Sequence, residues 1–140
     1  MHLFSLTGSC PYYINGQLNG RFTSPNYPSN YGSNERCSLL IEAPYGHYIH
    51  LQFRSFNLEY GRAHCPYDYV EVFDGSSAWS YKITKACGQR APCGIKSSGR
   101  FLFVKFYSDG SVQRPGFSAY YNAVSYSKRI VYFISLKRRF

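Results

Sequence analysis

A chain of 140 residues is long enough to bury the core of one domain. Its 16 Lys and Arg against seven Asp and Glu give a net charge of +9, and 19% of its residues are aromatic, 15 of them tyrosine. Recurrent Gly, Pro and Tyr-rich turns, with no sustained 3.6-residue periodicity, exclude a helical bundle and predict an all-β domain.

Gly20-Arg21-Phe22-Thr23 starts as a strand and breaks at Ser24-Pro25-Asn26-Tyr27-Pro28. The two prolines cannot continue a ladder and hold Tyr27 on a stiff corner. Cys37, Leu39 and Ile41 alternate inward and stop at Ala43-Pro44. Ile49, Leu51 and Phe53 alternate against His50, Gln52 and Arg54, a strand with one wet face, and Phe56, Leu58 and Glu59 follow. The stretch from Cys65 to Gly75 opens on a cysteine and closes on an Asp-Gly turn. Within it Val70 and Val72 face one way while Tyr69, Glu71 and Phe73 face the other. Asp68 is in phase with the valines. A carboxylate heading for a core must be paired, hydrogen-bonded or on a metal, so Asp68 is expected at the rim or with a partner.

Ser76 to Ser80 is a polar loop, Ile83 to Cys87 a short strand and Ser97-Ser98-Gly99 a turn. Leu102, Val104 and Phe106 then alternate with Phe101, Phe103, Lys105 and Tyr107 as far as Ser108-Asp109-Gly110-Ser111, and Gly116 to Tyr121 closes the set. At least six short strands, each with one face to bury, predict a two-sheet β-sandwich or jelly roll.

The five cysteines, Cys10, Cys37, Cys65, Cys87 and Cys93, are dispersed rather than grouped as CxxC pairs. Dispersed cysteines in a small β domain read as disulfides and an oxidising compartment, although their spacing leaves the pairing open. Zinc held by His64, Cys65, Cys87 and Cys93 is the alternative; structural zinc usually shows short paired spacings. Beyond Val124 come Lys128, Arg129, Lys137, Arg138 and Arg139 with no acid. Without these five, 11 basic and 7 acidic residues leave a net charge of +4. The expected picture is a mildly basic domain with a basic tail. Met1 to Ser9 is too short for a signal peptide, and Ile130 to Leu136 is far short of a membrane span, so the chain is expected to be a piece of a longer extracellular protein. There is no N-x-S/T sequon and no internal repeat.

Three of the seven acids, Glu59, Asp68 and Asp109, stand beside turns at strand ends. If those strands lie side by side, the carboxylates converge, repel one another and suit a hard cation. Loop-borne carboxylates and carbonyls favour calcium over magnesium, and three carboxylates would leave the site with surplus negative charge for a partner's Lys or Arg. The plainer alternative is that these are turn-capping acids.

Taken together these segments resemble a CUB domain. The matching pieces are Ser24-Pro25-Asn26-Tyr27-Pro28, Cys37-x-Leu39-x-Ile41, Phe56-x-Leu58-Glu59, Tyr67-Asp68-Tyr69-Val70-Glu71-Val72-x-Asp74-Gly75, Cys87-Gly88, Phe106-x-Ser108-Asp109-x-Ser111 and Gly116-Phe117-x-Ala119-x-Tyr121. The resemblance runs from Cys10 to about Tyr121 and implies a jelly-roll sandwich over residues 10–122, with an N-terminal flank over 1–9 and a tail over 123–140. It implies bridges Cys10–Cys37 and Cys65–Cys87, and calcium on Glu59, Asp68, Asp109 and a main-chain oxygen near Ser111. It also places Tyr27 near that site, where ligand recognition would use Tyr27 and the three acids to grip a basic side chain. Pro11-Tyr12 after Cys10, and Leu39 where the family often has Trp, depart from the pattern in the first strand and core. Cys93 has no partner in that pattern and is expected to be a free buried thiol, with a bridge to another domain as the alternative.

Three functions compete. The first is a non-catalytic extracellular module binding a protein through its calcium-bearing end, with an accessory domain of a protease or receptor as the alternative. Catalysis is not expected, since no HExxH, GxSxG or phosphate loop is present and His2, His47, His50 and His64 have no evident nucleophile partner. The third is binding to an acidic polymer or surface through Lys128 to Arg139 and the tyrosines, with glycosaminoglycan or anionic lipid expected rather than nucleic acid.

Overall fold

The computed structural model describes residues 3–5 and 12–127. Ten strands follow one another: β1 (Leu3–Ser5), β2 (Tyr12–Asn15), β3 (Asn19–Thr23), β4 (Arg36–Glu42), β5 (His47–Asn57), β6 (Tyr69–Asp74), β7 (Tyr81–Ala86), β8 (Ile95–Lys96), β9 (Phe101–Tyr107) and β10 (Gly116–Ser125). They form two five-stranded sheets, ordered β1-β3-β10-β5-β8 and β2-β4-β9-β6-β7. This is the two-sheet sandwich expected from the alternation of apolar residues.

Alternation fixes which face each strand buries. Leu102, Val104 and Phe106 of β9 and Leu39 and Ile41 of β4 are almost wholly buried, as are Ile49 and Leu51 of β5 in the facing sheet. Phe117 of β10 closes the core between the sheets, with ring centroids 5.6 Å from Phe106, 5.6 Å from Phe53 and 6.1 Å from Phe22. The pairing of β5 with β10 shifts register between Ser118 and Ala119, opposite Ser55 and Phe53. That bulge at Arg54 resets the phase of β5, so Phe53 and Phe56, three residues apart, both pack on Phe117.

The N-terminal half adds two parallel pairings that the sequence did not show: β2 beside β4 and β1 beside β3. β1 falls in the expected flank. At the other end β10 continues past residue 122, with Ala123, Val124 and Ser125 opposite Ile49, Tyr48 and His47. The basic residues from Lys128 onward lie outside the described residues, as does Cys10.

Cys65 and Cys87 are bridged, their Cα atoms 5.7 Å apart, which removes the zinc alternative. Cys37 is also disulfide-bonded. Cys93 is free, but it is exposed rather than buried, because it follows Pro92 in the loop before β8 instead of standing on a strand face.

Ser24 and Gly116 show how closely the ends of the neighbouring strands β3 and β10 approach. The Phe117 N–H donates to Ser24 Oγ at 2.9 Å, and the Ser24 N–H donates to the Phe117 carbonyl at 3.0 Å. Gly116 has φ +88°, and a Cβ there would stand 1.8 Å from Ser24 Oγ, so only glycine fits. Ser24→Ala is expected to lower stability by about 1–3 kcal/mol, because it leaves a buried N–H unpaired. Urea unfolding would measure this as a lower midpoint with an unchanged slope.

Candidate metal centre

The three acids singled out from the sequence do meet. Glu59 follows the end of β5, Asp68 precedes β6 and Asp109 follows β9. Each offers a carboxylate oxygen, and all three oxygens lie within 4.8 Å of one another. The strands explain the convergence. β6 and β9 are adjacent and antiparallel, with Tyr69 opposite Tyr107, so the start of one lies beside the end of the other.

Asp68 is fully buried, in phase with Val70 and Val72. Its partners are now visible. Tyr31 donates its hydroxyl to Asp68 Oδ2 at 2.6 Å, and the Asp109 N–H donates to Asp68 Oδ1 at 2.8 Å. Tyr31 also accepts the Glu59 N–H at 3.1 Å, so one buried hydroxyl joins two of the acids. Its ring packs edge-on against Phe106 at 5.1 Å. Ser108 adds a second tie, donating to the Gly32 carbonyl at 2.7 Å and accepting the Glu35 N–H at 2.9 Å. Asp109 Oδ1 accepts the Ser111 N–H at 3.2 Å, which folds the turn carrying Ser111 back onto the cluster.

Glu59 differs from its neighbours. Its Oε2 is buried and has no hydrogen-bond partner among the described residues. Burial, then the negative charges of Asp68 and Asp109, push its carboxyl up to about 7. Burial also raises Asp68, against the hydrogen bonds from Tyr31 and Asp109 that favour its charged form. Burial is likewise the main cause that raises Tyr31, and the hydrogen bond to Asp68 adds to it. An uncompensated buried carboxylate oxygen beside two other acids is the environment that a cation relieves.

Tyr31, not Tyr27, contacts Asp68. The Tyr27 hydroxyl hydrogen-bonds Ser55 and Ser118 on the β5–β10 sheet, which draw its ionisation down. The sequence did carry a signal for Tyr31: Asn30-Tyr31 repeats Asn26-Tyr27 four residues later. A buried acid that the sequence did not single out is Glu71, on the outer side of β6 under an ion pair with Lys82.

With this geometry established, the chain can be set beside known proteins. The CUB domain model matches residues 10–121, and the chain belongs to the CUB domain family. CUB domains are non-catalytic modules of extracellular proteins that mediate protein–protein contacts. Among relatives, Neuropilin and tolloid-like protein 1 of Mus musculus is 46% identical over 104 residues, covering 74% of this chain and 19% of that protein. Tolloid-like protein 1 of Homo sapiens is 43% identical over 100 residues, covering 71% and 10%. The chain thus spans a fifth or less of these two relatives. Among solved structures, the MASP-1 CUB2 domain bound to Ca2+ superposes with a TM-score of 0.72 at 29% identity, covering 81% of this chain and 99% of that one. No helix among the described residues is long and apolar enough to cross a membrane.

Proposed function

We propose that this domain is an extracellular recognition module whose rim carboxylates, Glu59, Asp68 and Asp109, hold a calcium ion, with a main-chain oxygen of Ser111 completing the protein's share of the shell. The observation that carries this reading is the convergence of three carboxylates within 4.8 Å around an unpartnered, buried Glu59 oxygen. A bound calcium would supply positive charge that offsets the mutual repulsion of the three acids. Tyr31 and the Asp109 N–H orient Asp68, and the pairing of Glu59 O with the Gly88 N–H at 3.2 Å holds the turn that carries Glu59. Three carboxylates exceed a divalent charge by one, so this end keeps an attraction for a ligand's Lys or Arg. The neighbouring Tyr60 and Tyr67 are exposed and give such a ligand aromatic surface to pack on. In the relatives the matched region is a small part of a longer protein, which supports an accessory, ligand-binding part for this domain rather than a catalytic one.

Titration tests the site. The Glu59 carboxyl rises from an ordinary value of 4.5 to about 7 on folding, so the folded form binds that proton more tightly than the unfolded one. Its contribution is therefore complete below about pH 4.5 and is lost as pH climbs through about 7. In EDTA the unfolding temperature is expected to fall from pH 5 to pH 8. In calcium the trend reverses, because the ion competes with the proton for Glu59. Glu59→Gln flattens both profiles. Parallel profiles with and without calcium would remove the metal from this reading.

A further inference from the structure

The acids of this molecule, unlike its cations, are confined to one sheet and the loops. The five strands of the β1-β3-β10-β5-β8 sheet contain no Asp or Glu. Glu42, Glu71 and Asp74 belong to strands of the other sheet, and Glu35, Glu59, Asp68 and Asp109 lie in loops. Arg21 of β3, Arg54 of β5 and Lys96 of β8 are exposed on the acid-free sheet, with His50 directly opposite Lys96. None has a carboxylate partner: the ion pairs among the described residues are Lys82–Glu71 and Arg100–Glu42. The Arg54 guanidinium lies 4.5 Å from the centroid of the Tyr120 ring, which orders it while leaving its N–H donors free. Between Arg21 and Arg54 the surface opens into a cleft of about 440 Å³, with Thr23, Tyr27 and Ser118 on its walls.

We propose that this face binds a sulfated polysaccharide, entered at the Arg21–Arg54 cleft, independently of the carboxylate rim. From β3 to β8 the cations cross three strand spacings, roughly 14 Å, which suits a linear polymer with repeated anions better than a single small anion. Gln52, Asn122, Thr23 and Ser118 lie between the charges and offer hydrogen bonds to sugar hydroxyls. The alternatives fit less well. A folded acidic protein needs an apolar centre to its interface, and a membrane surface needs side chains to insert; around the cleft the outward positions Thr23, Gln52, Ser118 and Asn122 are polar. Single-stranded nucleic acid needs bare aromatic faces for its bases, whereas Arg54 covers the Tyr120 ring.

Binding of the full chain to immobilised heparin in EDTA, from about 50 mM to 200 mM salt, tests this. Arg21→Ser with Arg54→Ser is expected to weaken binding by roughly tenfold or more, and to lower the slope of log affinity against log salt by about two. Asn122→Glu, at an exposed position opposite His50, is expected to weaken binding too. Both proteins should unfold at the wild-type temperature. Lys137→Ser with Arg138→Ser and Arg139→Ser should retain most of the affinity. The proposal is overturned if the tail variant loses binding while the Arg21 and Arg54 variant keeps it. It also fails if wild type does not bind heparin, or binds single-stranded DNA of equal charge as tightly.

Discussion

Saturating calcium should raise the unfolding temperature of the wild-type domain by on the order of 10 °C, and Asp109→Ala should abolish the rise. A ligand at a hundredfold excess over its Kd adds about 2.7 kcal/mol to the folded state, and for a domain of this size each kcal/mol is worth about 4 °C. The informative comparison is in EDTA. Among the backbone donors of the described residues the Asp109 side chain accepts the exposed Ser111 N–H, while its charge raises the Glu59 carboxyl. Removing it relieves repulsion, so the metal-free variant should be at least as stable as wild type. Asp68→Ala should behave differently. It strands the Tyr31 hydroxyl and the Asp109 N–H, both now bonded to Asp68, at a cost of about 1–3 kcal/mol for each donor left unpaired. It therefore unfolds early with or without calcium. Differential scanning calorimetry of the three proteins separates a metal site from ordinary turn-capping acids. Equal calcium responses in wild type and Asp109→Ala would leave only the capping.

The parts of this arrangement that the sequence displayed are those with a local signature. Period-2 alternation in Leu102, Val104 and Phe106, or in Leu39 and Ile41, marks the inner face because a strand's geometry gives no other choice. Asp68 announced a partner because its phase put a charge among valines. Tyr31 stayed hidden because a buried tyrosine is defined by what its hydroxyl meets, and the acids it joins are 28 and 37 residues away. The burial of Glu71, on the face opposite Val70 and Val72, stayed hidden because the Lys82 that covers it arrives on the neighbouring strand β7. The edge strands β2 and β8 were equally silent. Four and two residues long, they are strands only because β4 and β5 offer them a ladder. The sorting of acids off one sheet is composition that only topology makes visible.

Replacing both Cys65 and Cys87 with serine should cost about 3 kcal/mol, the entropy that a bridge across 22 residues removes from the unfolded chain, and more than about 10 °C in unfolding temperature. The bridge also does something that chain entropy alone does not describe. His64 and Cys65 both sit in the left-handed region, at φ 75° and 47°, a conformation that costs non-glycine residues of order 1–3 kcal/mol each. That turn leads directly into Asp68. On the other side of the bridge, Gly88 accepts the Leu58 N–H at 2.9 Å and donates to the Glu59 carbonyl at 3.2 Å. The bond thus clamps the segment before one carboxylate to the segment that holds another. Cutting it lets the strained turn relax and the two acids drift apart, so calcium affinity should fall by at least roughly tenfold, the equivalent of 1.4 kcal/mol of lost ordering. Cys93→Ser, which removes an exposed free thiol, should change neither quantity. If the double variant loses stability but titrates with calcium at the wild-type Kd, the bridge acts on the unfolded chain alone and the rim is ordered by Tyr31 and Ser108 without it.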